Sequence, residues 1–190
     1  MARTLPEWMY PPRPSGWEAD DLDRIPELPR HTELIDGSLI FMVSPQRSWH
    51  DRIIRRLTSA LEDQAPAGHT VEARMTITLG RADRPEPDVI VAAVPYDPNR
   101  TNFLPEQVTL LVEVVSEESR ARDRETKPFK YARAGIRHHW RIEDEAGNPV
   151  VHVYELDETT HAYVPTSIQR DKLAVTVPFA IAVDLSALAR

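Results

Sequence analysis

Residues 110–135 read LLVEVVSEESRARDRETKPFKYARAG, and this stretch indicates the fold class. Its first six residues are almost continuously apolar, which is typical of a strand buried on both faces of a sheet. Residues 120–134 are predicted to form a helix that stops at Gly135. A buried strand that leads into a helix favours an α/β or α+β protein, in which helices cover a central sheet.

Two carboxylates interrupt the apolar stretches. Glu113 lies inside the strand core, and Asp88 precedes the apolar run VIVAAV of residues 89–94. Burial of an unpaired carboxylate is costly, so proteins neutralise it, pair it or bind a metal to it. Taken alone, Asp88 is typical of a turn that enters a strand. Glu113 is harder to explain structurally, and its alternative is a buried ion pair with an arginine. On neighbouring strands the two can lie side by side and form a pocket for Mg²⁺, which prefers oxygen ligands.

The composition narrows the class of protein. The chain has 190 residues, of which 41% are hydrophobic, and this suits a single domain with a real core. No run approaches the roughly 18 apolar residues of a membrane helix, and no apolar signal core is seen, so a cytoplasmic protein is expected. The lack of cysteine excludes disulfides, thiolate nucleophiles and cysteine-bound zinc. The net charge of −7 argues mildly against tight binding of nucleic acid, although a local cleft can differ from the whole protein.

The chain is predicted to have two parts. Residues 1–30 contain six of the 17 prolines and are expected to form an arm with a short helix. Ser15 and Glu18 offer a capping box for that helix. Residues 31–190 form the main domain.

The main domain is rich in strands and has two main helices. Asp36-Gly37 joins two short apolar runs, which is a strong hairpin signal. Residues 46–64 are predicted to form an amphipathic helix, since Ile53 and Leu57 belong to an apolar set at helical spacing. Further strands are expected in the segments 69–80, 87–94, 107–116, 137–143, 150–157 and 173–177, followed by a last short segment at 180–189.

Four segments of the chain resemble the Uma2 family of endonucleases, which belongs to the PD-(D/E)xK nuclease superfamily. They are ELIDG at 33–37, PD at 87–88, VEVVS at 112–116 and DRETKPFKYARAGIRHHWRIE at 123–143. The resemblance extends from about residue 20 to about residue 185. It implies a restriction-endonuclease-like α/β fold, with a mixed central β-sheet flanked by helices.

The resemblance also implies the residues of a metal-dependent active site. Asp88 and Glu113 match the family's metal-binding carboxylates, and Glu33 matches a further acidic residue that would hold a second metal or a metal-bound water. The superfamily's lysine would fall at Val115, but in the family pattern it has moved to the following helix, where Lys127 stands here. The implied activity is hydrolysis of phosphodiester bonds in nucleic acid, in DNA more than in RNA, with Mg²⁺ or Mn²⁺ as the cofactor.

Pro128 directly follows Lys127 and departs from a regular helix. Proline lacks an amide donor and disfavours helical geometry in the residue before it, so it is tolerated only in a first turn. The helix is therefore expected to start near Thr126 or to be kinked. Lys130, about one turn further on, is the alternative catalytic lysine.

Other polar and aromatic residues receive structural interpretations. His50 is expected on the helix surface or beside the site rather than as a catalytic base. His138 and His139 alternate along a strand, so they point to opposite faces and are not expected to form a two-histidine metal site. Tyr131 and Trp140 are expected in the core. The first predicted helix carries four arginines, Arg47, Arg52, Arg55 and Arg56. They are better explained as a solvated charged face of the helix than as a phosphate-binding site.

Two other functions are alternatives to a nuclease. One is a module that keeps the nuclease fold without turnover and binds nucleic acid or protein, which the acidic net charge and Pro128 favour. The other uses the two carboxylates as a glycosidase-like pair, but aromatic residues make up only 7% of the chain, fewer than a sugar cleft needs. Dependence on a divalent metal distinguishes the nuclease from both. Nucleic acid is the expected partner, and a second copy of the chain is a further candidate. No interaction with a membrane is expected.

Overall fold

The computed structural model of the protein describes residues 6–42 and 47–190. Within these ranges, no helix is long and apolar enough to cross a membrane. The helices are α1 Ser48–Glu62, α2 Lys127–Arg133 and α3 Leu185–Ala189. The strands are β1 Thr32–Ile35, β2 Ser38–Phe41, β3 Thr70–Ala73, β4 Thr76–Ile77, β5 Val89–Ala92, β6 Asn102–Phe103, β7 Val108–Val114, β8 His138–Glu145, β9 Asn148–Asp157, β10 Ala162–Gln169, β11 Lys172–Val175 and β12 Ile181–Asp184.

Six strands form a mixed central sheet in the order β10-β9-β8-β7-β5-β3. Strands β7 and β8 are parallel, and the other neighbours are antiparallel. A parallel pair needs a crossover connection, because the chain must return to the same end of the sheet. The segment that contains α2 provides this crossover between β7 and β8. The predicted fold class, a mixed central sheet flanked by helices, is confirmed.

Each face of the sheet has its own hydrophobic core. On one face, Ile53 and Leu57 of α1 are fully buried against strand residues that include Val112, and α3 adds to the same core. On the other face, Tyr131 of α2 packs with Leu111 and with the short β4 and β6 strands. Leu111 and Val112 belong to different cores because successive side chains of a strand point to opposite faces. Strand β7 is therefore covered on both sides, as its apolar sequence predicts.

The arm packs against the β1–β2 hairpin. Trp17 and Ala19 are buried in a small cluster with Leu34 of β1. The predicted short helix is a single 3₁₀ turn, Ala19–Asp21, and Glu18 rather than Ser15 is its capping residue. The capping box expected at Ser15 is therefore wrong by three residues.

The segment 69–80 is not one strand, as its alternating sequence predicts, but two. It forms β3 and β4, which belong to different sheets. Arg74 lies between them with φ of 55°, a left-handed conformation that a strand cannot accommodate. This local conformation ends the pairing of β3 and redirects the chain.

A further difference concerns β10, whereas the second main helix has the predicted extent. Strand β10 was not predicted, since its sequence contains Pro165 and its side chains lack a buried face. It lies at an edge of the sheet, where proline is tolerated. The helix predicted for 120–134 is helical from Arg120 to Arg133, with a π-helical turn at Arg122–Thr126 before α2, so its predicted extent is confirmed. Residue 46, where the first helix was predicted to begin, lies outside the described residues.

Candidate active site

A cavity of about 200 Å³ lies between the β1–β2 hairpin, the strands β5 and β7, and the crossover that leads into α2. Glu33, Asp88, Glu113 and Lys127, the four candidate residues of the sequence, all line it. Glu33, Glu113 and Lys127 are at most 3% exposed. The tertiary structure thus brings the residues that the sequence singles out together in one cavity.

Strands β5 and β7 bring Asp88 and Glu113 together. The antiparallel register sets Val89 opposite Val112, so Asp88, one position before β5, comes next to Glu113. Asp88 Oδ2 accepts a hydrogen bond of 2.7 Å from the backbone N–H of Val114. This bond fixes the Asp88 carboxylate at the carboxyl-terminal end of β7.

The hairpin turn positions Glu33. Asp36 and Gly37 have φ values of 50° and 73°, the two positive values that a tight two-residue hairpin turn requires. Glu33 Oε1 accepts a hydrogen bond of 2.9 Å from the backbone N–H of Glu86. The hairpin is therefore tied to the chain that enters β5, with the Glu33 carboxylate inside the cavity.

Lys127 lies at the centre of the cluster. Its Nζ is 2.7 Å from Glu33 Oε1, 3.3 Å from Glu113 Oε2 and 3.4 Å from Asp123 Oδ1. Pro128 is accommodated because it follows a π-helical turn, where the regular hydrogen-bond pattern of the α-helix is already interrupted. The α-helix α2 begins at Lys127, next to the expected start near Thr126, and Lys127 reaches Glu113.

Asp123 and Tyr131 belong to the site but were not assigned to it from the sequence. Asp123 is 1% exposed, and its Oδ2 accepts a hydrogen bond from the hydroxyl of Ser119. The Tyr131 hydroxyl donates a hydrogen bond of 2.5 Å to Glu113 Oε1. Asp123 lies four positions before Lys127, and Tyr131 lies four positions after it. Residues at this spacing share one face of a helix, so the spacing could have predicted both of them from the sequence.

His50 lies beside the carboxylates rather than on the surface of α1. Its Nε2 is 2.8 Å from the backbone oxygen of Val114 and 3.6 Å from Asp88 Oδ2. Burial lowers the pKa of the imidazole, but the hydrogen bond and charge of Asp88 outweigh it, so the pKa is raised overall. His50 thus links α1 to the end of β7 at the edge of the cavity.

Negative charge exceeds positive charge in the cavity. Burial disfavours the ammonium of Lys127, but the carboxylates of Glu113, Glu33 and Asp123 outweigh it and hold its pKa well above the ordinary value. Burial is also the main reason why the pKa of Glu113 is well above its usual range; Lys127 opposes this shift and Asp123 adds to it. In all, six carboxyl groups line the cavity against Lys127, Arg74 and two histidines, so the cavity attracts protons or cations.

The donor atoms fit a hard divalent cation in their chemistry. Within the described part of the chain, no three His, Asp or Glu side chains are already grouped as metal ligands. Lys127 accounts for this, because its ammonium stands between three of the carboxylates. All the charged donors are carboxylate oxygens. Glu33 Oε2 and Asp123 Oδ1 are buried without a hydrogen bond and have only ion-pair contacts, at 3.7 Å to Arg122 Nε and 3.4 Å to Lys127 Nζ. Buried oxygens that lack a hydrogen bond are costly, so a bound cation would stabilise them.

Comparisons with known proteins agree with this architecture. Residues 19–188 match the model of the Uma2 family, whose description is "Putative restriction endonuclease". Among solved structures, the chain is similar to a crystal structure described as "a putative nuclease belonging to DUF820" from Anabaena variabilis. The TM-score is 0.66, the sequences are 19% identical, and the match covers 89% of this chain and 95% of that chain. At this identity the likeness concerns the fold. No curated protein matches the chain.

Proposed function

The chain belongs to the Uma2 family, and from this premise we propose that it hydrolyses phosphodiester bonds of nucleic acid, with DNA preferred to RNA. Membership of a family described as restriction endonucleases supports nuclease function and the preference for DNA. The observation that carries the proposal is the buried cluster in which Lys127 Nζ lies between Glu33 and Glu113, with Asp88 on the same cavity. Carboxylates beside a fixed ammonium can bind a cation and stabilise the charge of a reacting phosphate.

The proposed cofactor is Mg²⁺ or Mn²⁺. Asp88 and Glu113 would hold it, and Glu33 would hold a second ion or a bound water molecule. When bound, such an ion stabilises charge on phosphate oxygens and makes a water molecule a better nucleophile. The excess of carboxylates in the cavity and the oxygens of Glu33 and Asp123 that lack a hydrogen bond support this assignment.

Lys127 has an electrostatic role in the proposal. Because its pKa is well above the ordinary value, the side chain stays protonated and does not act as a general base. Its ammonium orients the attacking water and counters the negative charge that develops on the phosphate. Tyr131 holds Glu113 through Oε1, which leaves Oε2 directed at the cavity and at Lys127.

The decisive experiment is a cleavage assay on single- and double-stranded DNA and on RNA, with Mg²⁺, with Mn²⁺ and with EDTA. We expect cleavage of DNA with either metal, no cleavage with EDTA, and no cleavage by Glu113→Gln. Calorimetry should show that the wild type binds Mn²⁺ and that Glu113→Gln binds it more weakly. The nuclease proposal would be abandoned if no substrate were cut in any metal.

A binding module without turnover is the second candidate. The position of Lys127 favours it, because the ammonium already neutralises part of the carboxylate charge. Such a module would bind nucleic acid or protein equally well with and without divalent metal. Metal-independent binding together with absence of cleavage would support it.

A further inference from the structure

A second cavity, of about 290 Å³, lies beside α2 and the strands β8, β9 and β10. We call it the aromatic pocket. Three residues of α2 line it, namely Pro128, Phe129 and Ala132. Helical spacing places them on the side of α2 that faces away from Lys127. No residue that lines this pocket also lines the carboxylate cavity. The other residues that line the pocket are Arg124, His139, Arg141, Tyr154, Thr160, His161, Ala162 and Tyr163.

Aromatic rings form most of one wall of this pocket. The ring of His139 is stacked on Tyr154, with 5.7 Å between centroids and 23° between planes, and lies 5.3 Å from the ring of Tyr163. Phe129 is 61% exposed at the same pocket, although it is a large apolar side chain. Rings that gather in a concave site with one ring left exposed are typical of a surface on which a further planar group stacks.

His139 adds hydrogen-bonding groups to the aromatic wall. It is 1% exposed, and neither of its ring nitrogens has a hydrogen-bond partner within the described ranges. Burial lowers its pKa to about 3, so the imidazole is neutral at physiological pH. A neutral imidazole offers one donor and one acceptor in the plane of the ring.

The charges at this pocket differ from those of the rest of the protein. The net charge of the chain is −7, yet the lining of this pocket includes two arginines and, among the described residues, no carboxylate. Arg124 and Arg141 share a single acidic neighbour, Glu143. Arg124 donates two hydrogen bonds to it, and Arg141 Nε lies 3.0 Å from Glu143 Oε1, so two guanidinium groups share one carboxylate. The guanidinium of Arg141 lies 5.5 Å from the ring centre of Tyr154, so positive charge and aromatic surface are adjacent.

We propose that the aromatic pocket binds a nucleotide, with its base against Phe129 and the tyrosine rings and its phosphate at Arg141. Base stacking on aromatic side chains together with arginine contacts to phosphate is the combination that proteins use for unpaired nucleotides. The volume suits a single nucleotide and is too small for a duplex. Stacking tolerates every base, so the pocket discriminates little between sequences.

This site is independent of the proposed cleavage, since it needs neither the carboxylates nor a metal. The nucleotide can come from two sources, a free mononucleotide or an unpaired nucleotide within a strand. Both present the same base and phosphate to the pocket. Deoxyadenosine monophosphate, a short single-stranded oligodeoxynucleotide and inorganic phosphate are therefore the probes that distinguish the sources.

Binding is measured by calorimetry with Glu113→Gln protein in EDTA, so that neither cleavage nor metal contributes. Phe129→Ala and Arg141→Gln are the test substitutions in this background. Tyr96→Ala and Arg137→Gln are the controls, because Tyr96 is a 69% exposed aromatic residue on a loop and the Arg137 side chain is 73% exposed. All four variants are first checked for an unchanged melting temperature relative to the background.

We expect saturable binding of the mononucleotide or of the oligonucleotide, at least about tenfold weaker in both test variants and unchanged in both controls. Phosphate alone should bind more weakly than the better nucleotide probe. Binding of the oligonucleotide alone would identify a strand as the source, and tighter binding of the mononucleotide would identify the free nucleotide. The proposal is overturned if neither nucleotide probe binds, or if Phe129→Ala and Arg141→Gln bind like the controls. A failure of the cleavage assay with nucleotide binding retained would count against the nuclease and not against the pocket.

Discussion

Lys127 and Lys130 lie three positions apart on α2, yet their ammonium groups have different surroundings. Lys127 Nζ is buried among carboxylates that include Glu113. Lys130 Nζ pairs with Asp36 and Asp83, at 2.6 and 2.8 Å, outside the cavity. The two residues therefore provide a matched test of the catalytic lysine, since each substitution removes one positive charge from the same helix.

We expect Lys127→Ala to lower the rate of single-turnover cleavage by about 10²–10³-fold, because it removes an electrostatic stabiliser of the phosphate. Mn²⁺ affinity, measured by calorimetry, should rise, since the ammonium no longer competes for the carboxylate oxygens. Lys130→Ala should cleave like the wild type. Inactive Lys130→Ala protein with active Lys127→Ala protein would show that the catalytic lysine has been assigned to the wrong residue.

His139 couples the stability of the fold to pH. Burial lowers its pKa from 6.5 to about 3 in the folded protein. Between these values the unfolded chain binds a proton at this residue and the folded protein does not. The free energy of unfolding therefore falls as the pH decreases from about 6.5 towards about 3.

We expect His139→Leu to reduce the slope of unfolding free energy against pH between about pH 6 and about pH 5. The reduction should approach about 1.4 kcal/mol per pH unit, the contribution of one proton bound only by the unfolded chain. Urea denaturation of both proteins across this range measures the slopes. Parallel slopes would mean that His139 takes up a proton in the folded state as readily as in the unfolded one.

At the level of secondary structure, the π-helical turn Arg122–Thr126 selects the side chains that enter the cavity. Asp123 and Lys127 face inward and are buried, whereas Arg124 and Glu125 are exposed. A π-helical turn holds one residue more than the corresponding α-helical geometry, and such turns are frequent at functional sites. The turn also joins directly to α2, which positions Tyr131 on Glu113.

Deletion of Glu125 should convert the π-helical turn to an α-helical one and shift the Asp123 carboxylate relative to Lys127, because the two residues are then three positions apart instead of four. We expect helical content by circular dichroism to be retained, while Mn²⁺ affinity falls by about 10- to 100-fold, as when a supporting carboxylate of a metal site is lost. Glu125→Ala is the control, since it removes the same exposed side chain without changing the register. Unchanged metal affinity in the deletion variant would show that the turn has no role in the site.

At the level of the whole molecule, the arm supports the hairpin that carries Glu33. The backbone N–H of Trp17 donates a hydrogen bond of 2.9 Å to the oxygen of Gly37, in the turn of the hairpin. Gly16 has φ of 96°, and a Cβ atom there would lie 2.5 Å from the same oxygen. Only glycine allows this approach, so the arm and the hairpin are matched in shape at this contact.

Gly16→Ala should lower the free energy of unfolding by about 1–3 kcal/mol, through backbone strain and the clash with Gly37. Gly68→Ala is the matched control, because Gly68 also has a positive φ, of 83°, but nothing lies within 4 Å of its added Cβ. The control should lose about 1 kcal/mol, from strain alone. Equal losses in the two variants, measured by urea denaturation, would rule out the close packing of arm against hairpin.

Local patterns in the sequence were sufficient for an α/β or α+β class and most elements, and the family resemblance added the mixed central sheet. Burial of β7 on both faces follows from its apolar run, the hairpin from Asp36-Gly37, and α1 from its helical repeat, because each depends on residues close together in the chain. Glu113 stood out for the same reason, as a carboxylate within that apolar run. The strand β10 was missed because an exposed edge strand leaves no buried face from which it could be predicted.

The tertiary structure alone decided which groups meet. Asp123 and Tyr131 enter the cluster through the register of the π-helical turn and α2, which Pro128 made uncertain in the sequence. The ammonium of Lys127, rather than that of Lys130, reaches Glu113 for the same reason. The contact between Lys127 and Glu33 joins the crossover helix to a distant hairpin. Such contacts depend on strand pairing and helix rotation across long separations in sequence, which residue patterns alone do not specify.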